Sequence, residues 1–243
     1  MADLADLARA LDAAPEPATF WWRDDDAGRP DPRLDRLLEL AARRGAPLAL
    51  AVVPAWLTGG ATEGIRACAH ATVLQHGWAH EDHAAPRGRK IELGGSADPA
   101  RLGLLLAEGR ALLAEAFGER ALPVMVPPWN RIAPAFEAAL PGLGFSGLSA
   151  WGGPARRDAL VRVDTHVDVI DWRGTRGFVG LAAVVERTIA ALARFPTGPL
   201  GILTHHLVMD QAAFAHLDQI LALVQDHPRA RLRSAGDLFG EAR

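Results

Sequence analysis

Strand-like apolar runs alternate with amphipathic helical stretches about seven times along this chain. That alternation calls for parallel strands with helices packed outside them, in either a barrel or an open sheet. Five of the runs end on residues able to do chemistry. Run 19–26 ends on Arg23-Asp24-Asp25-Asp26, 71–80 on His76 and His80, 123–129 on Trp129, 161–168 on His166 and Asp168, and 200–206 on His205-His206. The carboxyl ends of parallel strands are where α/β proteins build their sites. Carboxylates, imidazoles and an indole delivered to one such face point to metal-assisted hydrolysis.

The elements follow from local pattern. Leu4, Leu7, Ala8 and Leu11 predict a short amphipathic helix over 3–14. A strand is expected at 18–23. Asp31-Pro32 reads as a cap with proline in the first helical turn, Leu34, Leu37, Leu38 and Ala41 give that helix one apolar face, and Gly45 stops it. The fully apolar 48–53 suits a strand buried on both faces. A helix near 62–69 and a strand at 72–75 come next. Residues 81–97, with Gly88, Gly94, Gly95 and little periodicity, read as a long functional loop. Asp98-Pro99 caps a helix that runs to Gly118. Strands at 122–126 and 145–149 flank a short helix near 133–140, and a strand is expected over 160–169. A helix at 180–195, a strand at 199–204, a helix from Asp210 to about 225, a short strand at 231–233 and a helix start at Ser234-Ala-Gly-Asp237 complete the chain. No internal repeat or linker divides it, so residues 1–243 are expected to form one domain.

The 49% hydrophobic and 23% charged content leaves ample material for a core. A net charge of -3 gives no electrostatic footprint for nucleic acid, which is excluded as a partner. Arg87, Arg89 and Lys90, the nearest thing to a basic cluster, read as a solvated loop. The single cysteine, Cys68, allows no intrachain disulfide and reads as small apolar filler. The first residues carry charge where a signal peptide needs an apolar core, and no apolar run is long enough to span a membrane. The expectation is a cytoplasmic protein with no membrane partner.

His76-Gly77-Trp78-Ala79-His80 sets two imidazoles four residues apart, close enough to reach one metal ion. The Asp24-Asp25-Asp26 cluster can supply the third ligand, and a bound cation would relieve the repulsion among its carboxylates. His83 reads as a loop residue. His205, at a strand end, has the titration range of an acid for an amine leaving group. Asp168, Asp171 and His166 share one short segment; a carboxylate beside an imidazole fixes its tautomer, and either aspartate can do so. Trp78, Trp129 and Trp172 lie inside polar motifs and read as platforms for a sugar face or an acyl methyl. Trp21 or Trp22, Trp56 and Trp151 read as core.

These motifs, in this order, resemble the polysaccharide deacetylases, also called the NodB-homology domain or carbohydrate esterase family four. The resemblance spans 23 to 206. It implies a distorted (β/α) barrel of about seven parallel strands and metal-dependent removal of acetyl groups from sugars. By the match of Arg23-Asp24-Asp25-Asp26-Ala27 to the first motif, Asp25 is the general base and Asp26 a metal ligand. The second motif carries the ligand role to His76 and His80. Val126-Pro127-Pro128-Trp129 matches the second half of the third motif, where a backbone N–H near Pro128 and Trp129 helps hold the oxyanion. Asp168-Val-Ile-Asp171-Trp172 matches the fourth, and Leu203-Thr204-His205 carries over the acid role. Two positions depart from the pattern: Ala27 stands for a glycine, and Val126 for the arginine that steadies the base. Side chains two apart on a strand point the same way, so Arg23 is the expected replacement partner of Asp25. An outward-facing Arg23, or Arg131 in its place, is the alternative.

The resulting expectation is a divalent-metal hydrolase, zinc by default for two histidines and an aspartate, acting on a small acylated glycan. A non-catalytic metal-containing carbohydrate-binding protein on the same scaffold is one rival. A non-haem iron oxygenase is the other, because two histidines and a carboxylate also form its facial triad.

Overall fold

A computed structural model describes residues 1–240. Helix α1 (Leu4–Ala13) starts at a capping box between Asp3 and Asp6 and leads to β1 (Ala18–Ala27). α2 (Pro32–Arg44) is capped by Asp31, whose side chain accepts from the Arg33 N–H at 2.8 Å. β2 (Leu48–Val52), α3 (Gly59–Ala67), β3 (Ala71–His76) and α4 (Pro99–Phe117) follow, α4 capped by Asp98. Next come β4 (Ala121–Val126), α5 (Pro134–Ala139), β5 (Gly147–Leu148), β6 (Arg156–Arg157), β7 (Val161–Arg162) and β8 (Val167–Asp168). The chain continues with α6 (Leu181–Arg194), β9 (Leu200–Thr204), α7 (Gln211–Asp226), β10 (Ala230–Leu232) and α8 (Ala235–Phe239). No described helix is long and apolar enough to cross a membrane.

The strands form one curled sheet in the order β6-β7-β5-β4-β3-β2-β1-β9-β8, with β10 also on β1; among the strand pairs of the described residues only β6–β7 is antiparallel. The 160–169 run, expected as one strand, is broken. Its first part, β7, pairs with β5 at one edge of the sheet, and its second part, β8, pairs with β9 at the other. Residues between them change neighbours: Thr165 N–H donates to Ala150, and His166 N–H to Gly201. One segment thus closes a distorted barrel whose seven staves are β1, β2, β3, β4, β5, the β7–β8 segment and β9. A single straight strand cannot lie in register with both edges of a curled sheet, hence the break. β6 escaped the sequence reading because two exposed arginines carry no apolar alternation.

Alternation along each strand sorts residues inside and out. Phe20, Trp22, Leu48, Leu50, Val52 and Val73 face the helices, in one core with Leu34, Leu37, Leu217 and Leu221. Trp21, Ala49, Ala51, Leu74, Val124 and Val126 fill the barrel, with Phe239 of α8 edge-on to Trp21 at 5.9 Å. The small Ala49 and Ala51 leave interior room for large neighbours on β1. Gly201 serves the same end, since a Cβ there would stand 2.6 Å from Trp21 Nε1. By the same alternation Arg23 and Asp25 share the inner side of β1 with Trp21.

Candidate active site

Three adjacent aspartates at the end of β1 go to three different partners. Asp24 faces outward and is fully buried; it accepts from Thr204 Oγ1 at 2.7 Å and from the His206 N–H at 2.9 Å, and contacts the His206 ring. Asp25 faces inward to Arg23, whose Nε and Nη2 donate to its two oxygens at 2.8 and 3.0 Å. Plain alternation would turn Asp26 outward. The register against β2 slips between Asp24 and Ala27, and Asp26 adopts φ 73°, so the bulge swings its carboxylate to the barrel mouth beside Asp25.

Arg23 is fully buried and held on every side: Nη1 donates to Ser149 Oγ at 2.5 Å, and Nη2 to Asn130 Oδ1 at 2.6 Å. A bidentate pair to Asp25 fixes that carboxylate in plane. Arg131 is not involved; its Nη1 donates to the Lys90 carbonyl.

His76 ends β3 on the inner side, and the chain then turns sharply through Gly77 at φ 58° and His80 at φ 59°. Glu92, buried in the long loop, pins that turn by accepting from the Trp78 and Ala79 N–H groups at 3.2 and 2.8 Å. Residue 77 has to be glycine, since a Cβ would lie 1.8 Å from Glu92 Oε2. Asp26 Oδ1 stands 3.2 Å from both His76 Nε2 and His80 Nε2. His76 Nδ1 lies 2.9 Å from the Val126 carbonyl, which can only accept, so Nδ1 carries a proton and Nε2 is the nitrogen left to face a cation. Asp26 Oδ1 is buried without a hydrogen-bond donor. Converging lone pairs around an orphaned carboxylate oxygen suit a cation. Nitrogen and oxygen ligands about 2.0–2.1 Å from a tetrahedral ion lie roughly 3.3 Å apart, close to the spacing found. Burial alone would raise the Asp26 pKa, yet His76 and His80 hold it well below the usual carboxylate range. Burial would likewise lower His76, and Asp26 and Asp25 raise it instead. The same negative surplus attracts a proton or a metal ion.

His205 follows β9 on the far side of Asp25. Its Nε2 is 4.0 Å from Asp25 Oδ2, and its Nδ1 is 3.8 Å from Asp168 Oδ1. Asp168 is the aspartate that faces it. Burial raises the Asp168 pKa against the opposing effect of His205, and its oxygens also accept from the Ile170 N–H at 2.9 Å and Trp172 Nε1 at 2.8 Å. Trp172 stands edge-on to His205, ring centres 4.7 Å apart. Asp171 is not part of this cluster: its carboxylate caps the following turn through the Arg173, Gly174 and Thr175 N–H groups. His166 is structural, its two nitrogens bonded to Gly153 O and Gly201 N–H.

The tryptophans sort differently from the sequence expectation. After Pro128, Trp129 takes φ 55° and sets its ring 4.3 Å from that of His80. Trp78 instead packs its ring against the Leu93, Phe136 and Leu148 cluster. Trp56, expected in the core, lies half-buried with its ring centre 5.5 Å from that of His80, and Trp151 is 45% exposed. Glu92, Asn130, Ser149 and the Asp24–His206 pair were missed. Only Glu92 carried a signal, as a lone charge between Ile91 and Leu93.

No protein-family model matches the chain by sequence, and no curated protein does. Solved structures do. A Mycobacterium smegmatis protein assigned as a polysaccharide deacetylase superposes with TM-score 0.69 at 18% identity, over 91% of this chain and 88% of that one. The fold is that of the polysaccharide deacetylases. A family 4 acetyl xylan esterase from Clostridium thermocellum, in complex with a cobalt ion, has TM-score 0.61 at 16% identity, covering 91% and 90% of the two chains. A family 4 pseudoenzyme from Bacillus anthracis also has TM-score 0.61, at 12% identity, over 93% of this chain and 66% of that one. Since this deacetylase fold is also worn by a pseudoenzyme, any claim to catalysis rests on the side chains.

Proposed function

We propose that this chain is a divalent-metal-dependent hydrolase that removes an acyl group, acetyl in the first instance, from an amino sugar or related small acylated glycan. The observation that carries the reading is one convergence. The Asp26, His76 and His80 donors meet at one point beside Asp25, which Arg23 grips on one side and His205 approaches at 4.0 Å on the other.

Asp26, His76 and His80 would hold the ion, zinc by the character of the donors. Such an ion polarises an acyl carbonyl and acidifies bound water. Asp25 takes the proton as the water oxygen bonds to the acyl carbon, and Arg23 holds Asp25 in plane for that task. The N–H of Trp129, in the turn after Pro128, is assigned to the developing oxyanion. His205 then gives a proton to the sugar nitrogen as the carbon–nitrogen bond breaks, leaving a free amine and a carboxylic acid. Asp168 orients the His205 ring. Trp129 and Trp172 flank the acyl and sugar groups. In this reading Asp171 and Trp78 shape the walls and do not touch substrate.

The non-catalytic alternative has the pseudoenzyme fold in its favour, but both proton-transfer residues are present and faced by partners. The test is acetate release from a panel of N- and O-acetylated sugars by the metal-loaded protein, with and without a chelator. Chelator-sensitive release that returns on adding metal supports the reading. No release from any member with a full equivalent of bound metal refutes it.

A further inference from the structure

Three cations crowd the mouth of the site, each over a tryptophan that touches a site histidine. Arg29 lies 4.8 Å above Trp56, whose ring centre is 5.5 Å from that of His80. Lys90 lies 5.5 Å from Trp129, itself 4.3 Å from His80. Arg176 lies 5.9 Å from Trp172, which is 4.7 Å from His205. They come from three separate loops, after β1, before α4 and after β8. All three are exposed, and among the described residues none forms an ion pair with a carboxylate. Of the nearby acids, Asp82, which lies within electrostatic reach of Lys90, and Asp171 turn their oxygens to backbone N–H groups of their own loops and form no ion pair with the three cations. A chain of net charge -3 thus sets three cations without ion pairs at the rim of its candidate site.

We infer that the acylated sugar carries an anionic group, phosphate or carboxylate, which Arg29, Lys90 and Arg176 bind while the tryptophans take the sugar face. Cations at the rim of a cleft attract ligands of the opposite sign, and cations resting on indole rings keep their charge for such a ligand. The inference deepens the hydrolase reading and rests on it for the acyl group alone.

The test is a tryptophan-fluorescence titration of the zinc-loaded protein with N-acetylglucosamine, N-acetylglucosamine 6-phosphate and N-acetylmuramic acid. Three exposed charge contacts together correspond to about a tenfold gain in affinity. At least one anionic sugar should therefore bind about tenfold more tightly than the neutral one, and which of the two does so separates phosphate from carboxylate. The ratio should shrink at high salt and in the R29Q/K90Q/R176Q variant, because exposed charge contacts are screened. Equal affinity for all three sugars, or no binding of either anionic sugar at millimolar concentration, overturns the inference. Acetate release is read separately. An anion preference without release leaves the binding inference standing and sinks the hydrolase. Release from neutral sugars with no preference does the reverse.

Discussion

Replacing Arg23 by methionine removes the guanidinium while keeping much of the volume. The side chain is fully buried and donates to Asp25 twice, to Ser149 and to Asn130. Breaking a buried pair by deleting one partner costs about 3–5 kcal/mol, because the remaining charge is stranded. Asp25 can escape that penalty by taking up a proton. One pH unit corresponds to 1.36 kcal/mol, so 3–5 kcal/mol is enough to move the acid limb of the rate profile upward by about two units or more. The sign follows from linkage: in the variant the folded state gains a proton that the unfolded state does not hold, so the stability deficit grows as pH rises and shrinks in acid. The assays are kcat/KM against pH on an acetylated sugar and urea unfolding at pH 5 and pH 8. An acid limb that stays in place, or a stability loss equal at both pH values, would refute the view that Arg23 is the charge partner of the base Asp25.

Three further outcomes follow from the site. His205→Asn should keep its metal but lose about 10²–10⁴-fold on amide substrates, with a smaller loss on activated esters, whose leaving group needs no proton; equal losses on both would remove the acid role. Burial raises the pKa of Asp168 above its ordinary 3.8, so its contribution to stability is present in acid and is lost as pH rises through the raised value. The melting temperature of Asp168→Asn relative to the parent should accordingly improve with rising pH, and a difference independent of pH contradicts this. Gly77→Ala places a Cβ against Glu92 and in a left-handed conformation, which by itself costs about 1–2 kcal/mol. Metal affinity and the urea midpoint should both fall; a variant with parental metal affinity would show that the Glu92-pinned turn is not needed.

What could be read in advance was whatever follows from local pattern. Asp31-Pro32, Asp98-Pro99 and Asp210 each cap the helix they announce. Alternation along β1 predicted the Arg23–Asp25 contact, because a strand face is a local property. The break between β7 and β8 was not legible, because it answers to the two sheet edges that the segment must join. Nor was the bulge that lets both Asp25 and Asp26 reach the mouth; it exists only relative to the register with β2. Trp56 and Trp78 exchanged their expected roles for the same reason. An indole flanked by mixed residues is core or mouth according to which loop packs on it, and the loop of 81–97 covers Trp78 through Leu93. His206 had no partner legible in the sequence, because Asp24 comes from the neighbouring strand β1, 182 residues earlier.

The central claim, a metal centre built from Asp26, His76 and His80 that serves hydrolysis, is tested most directly by metal content measured alongside acetate release. The parent, Asp26→Ala and His80→Ala proteins would be loaded with zinc, freed of excess, analysed for metal and assayed on one acetylated sugar. The account predicts one equivalent of metal in the parent, far less in both variants, and release in proportion to the metal retained. A full equivalent in both variants would contradict it.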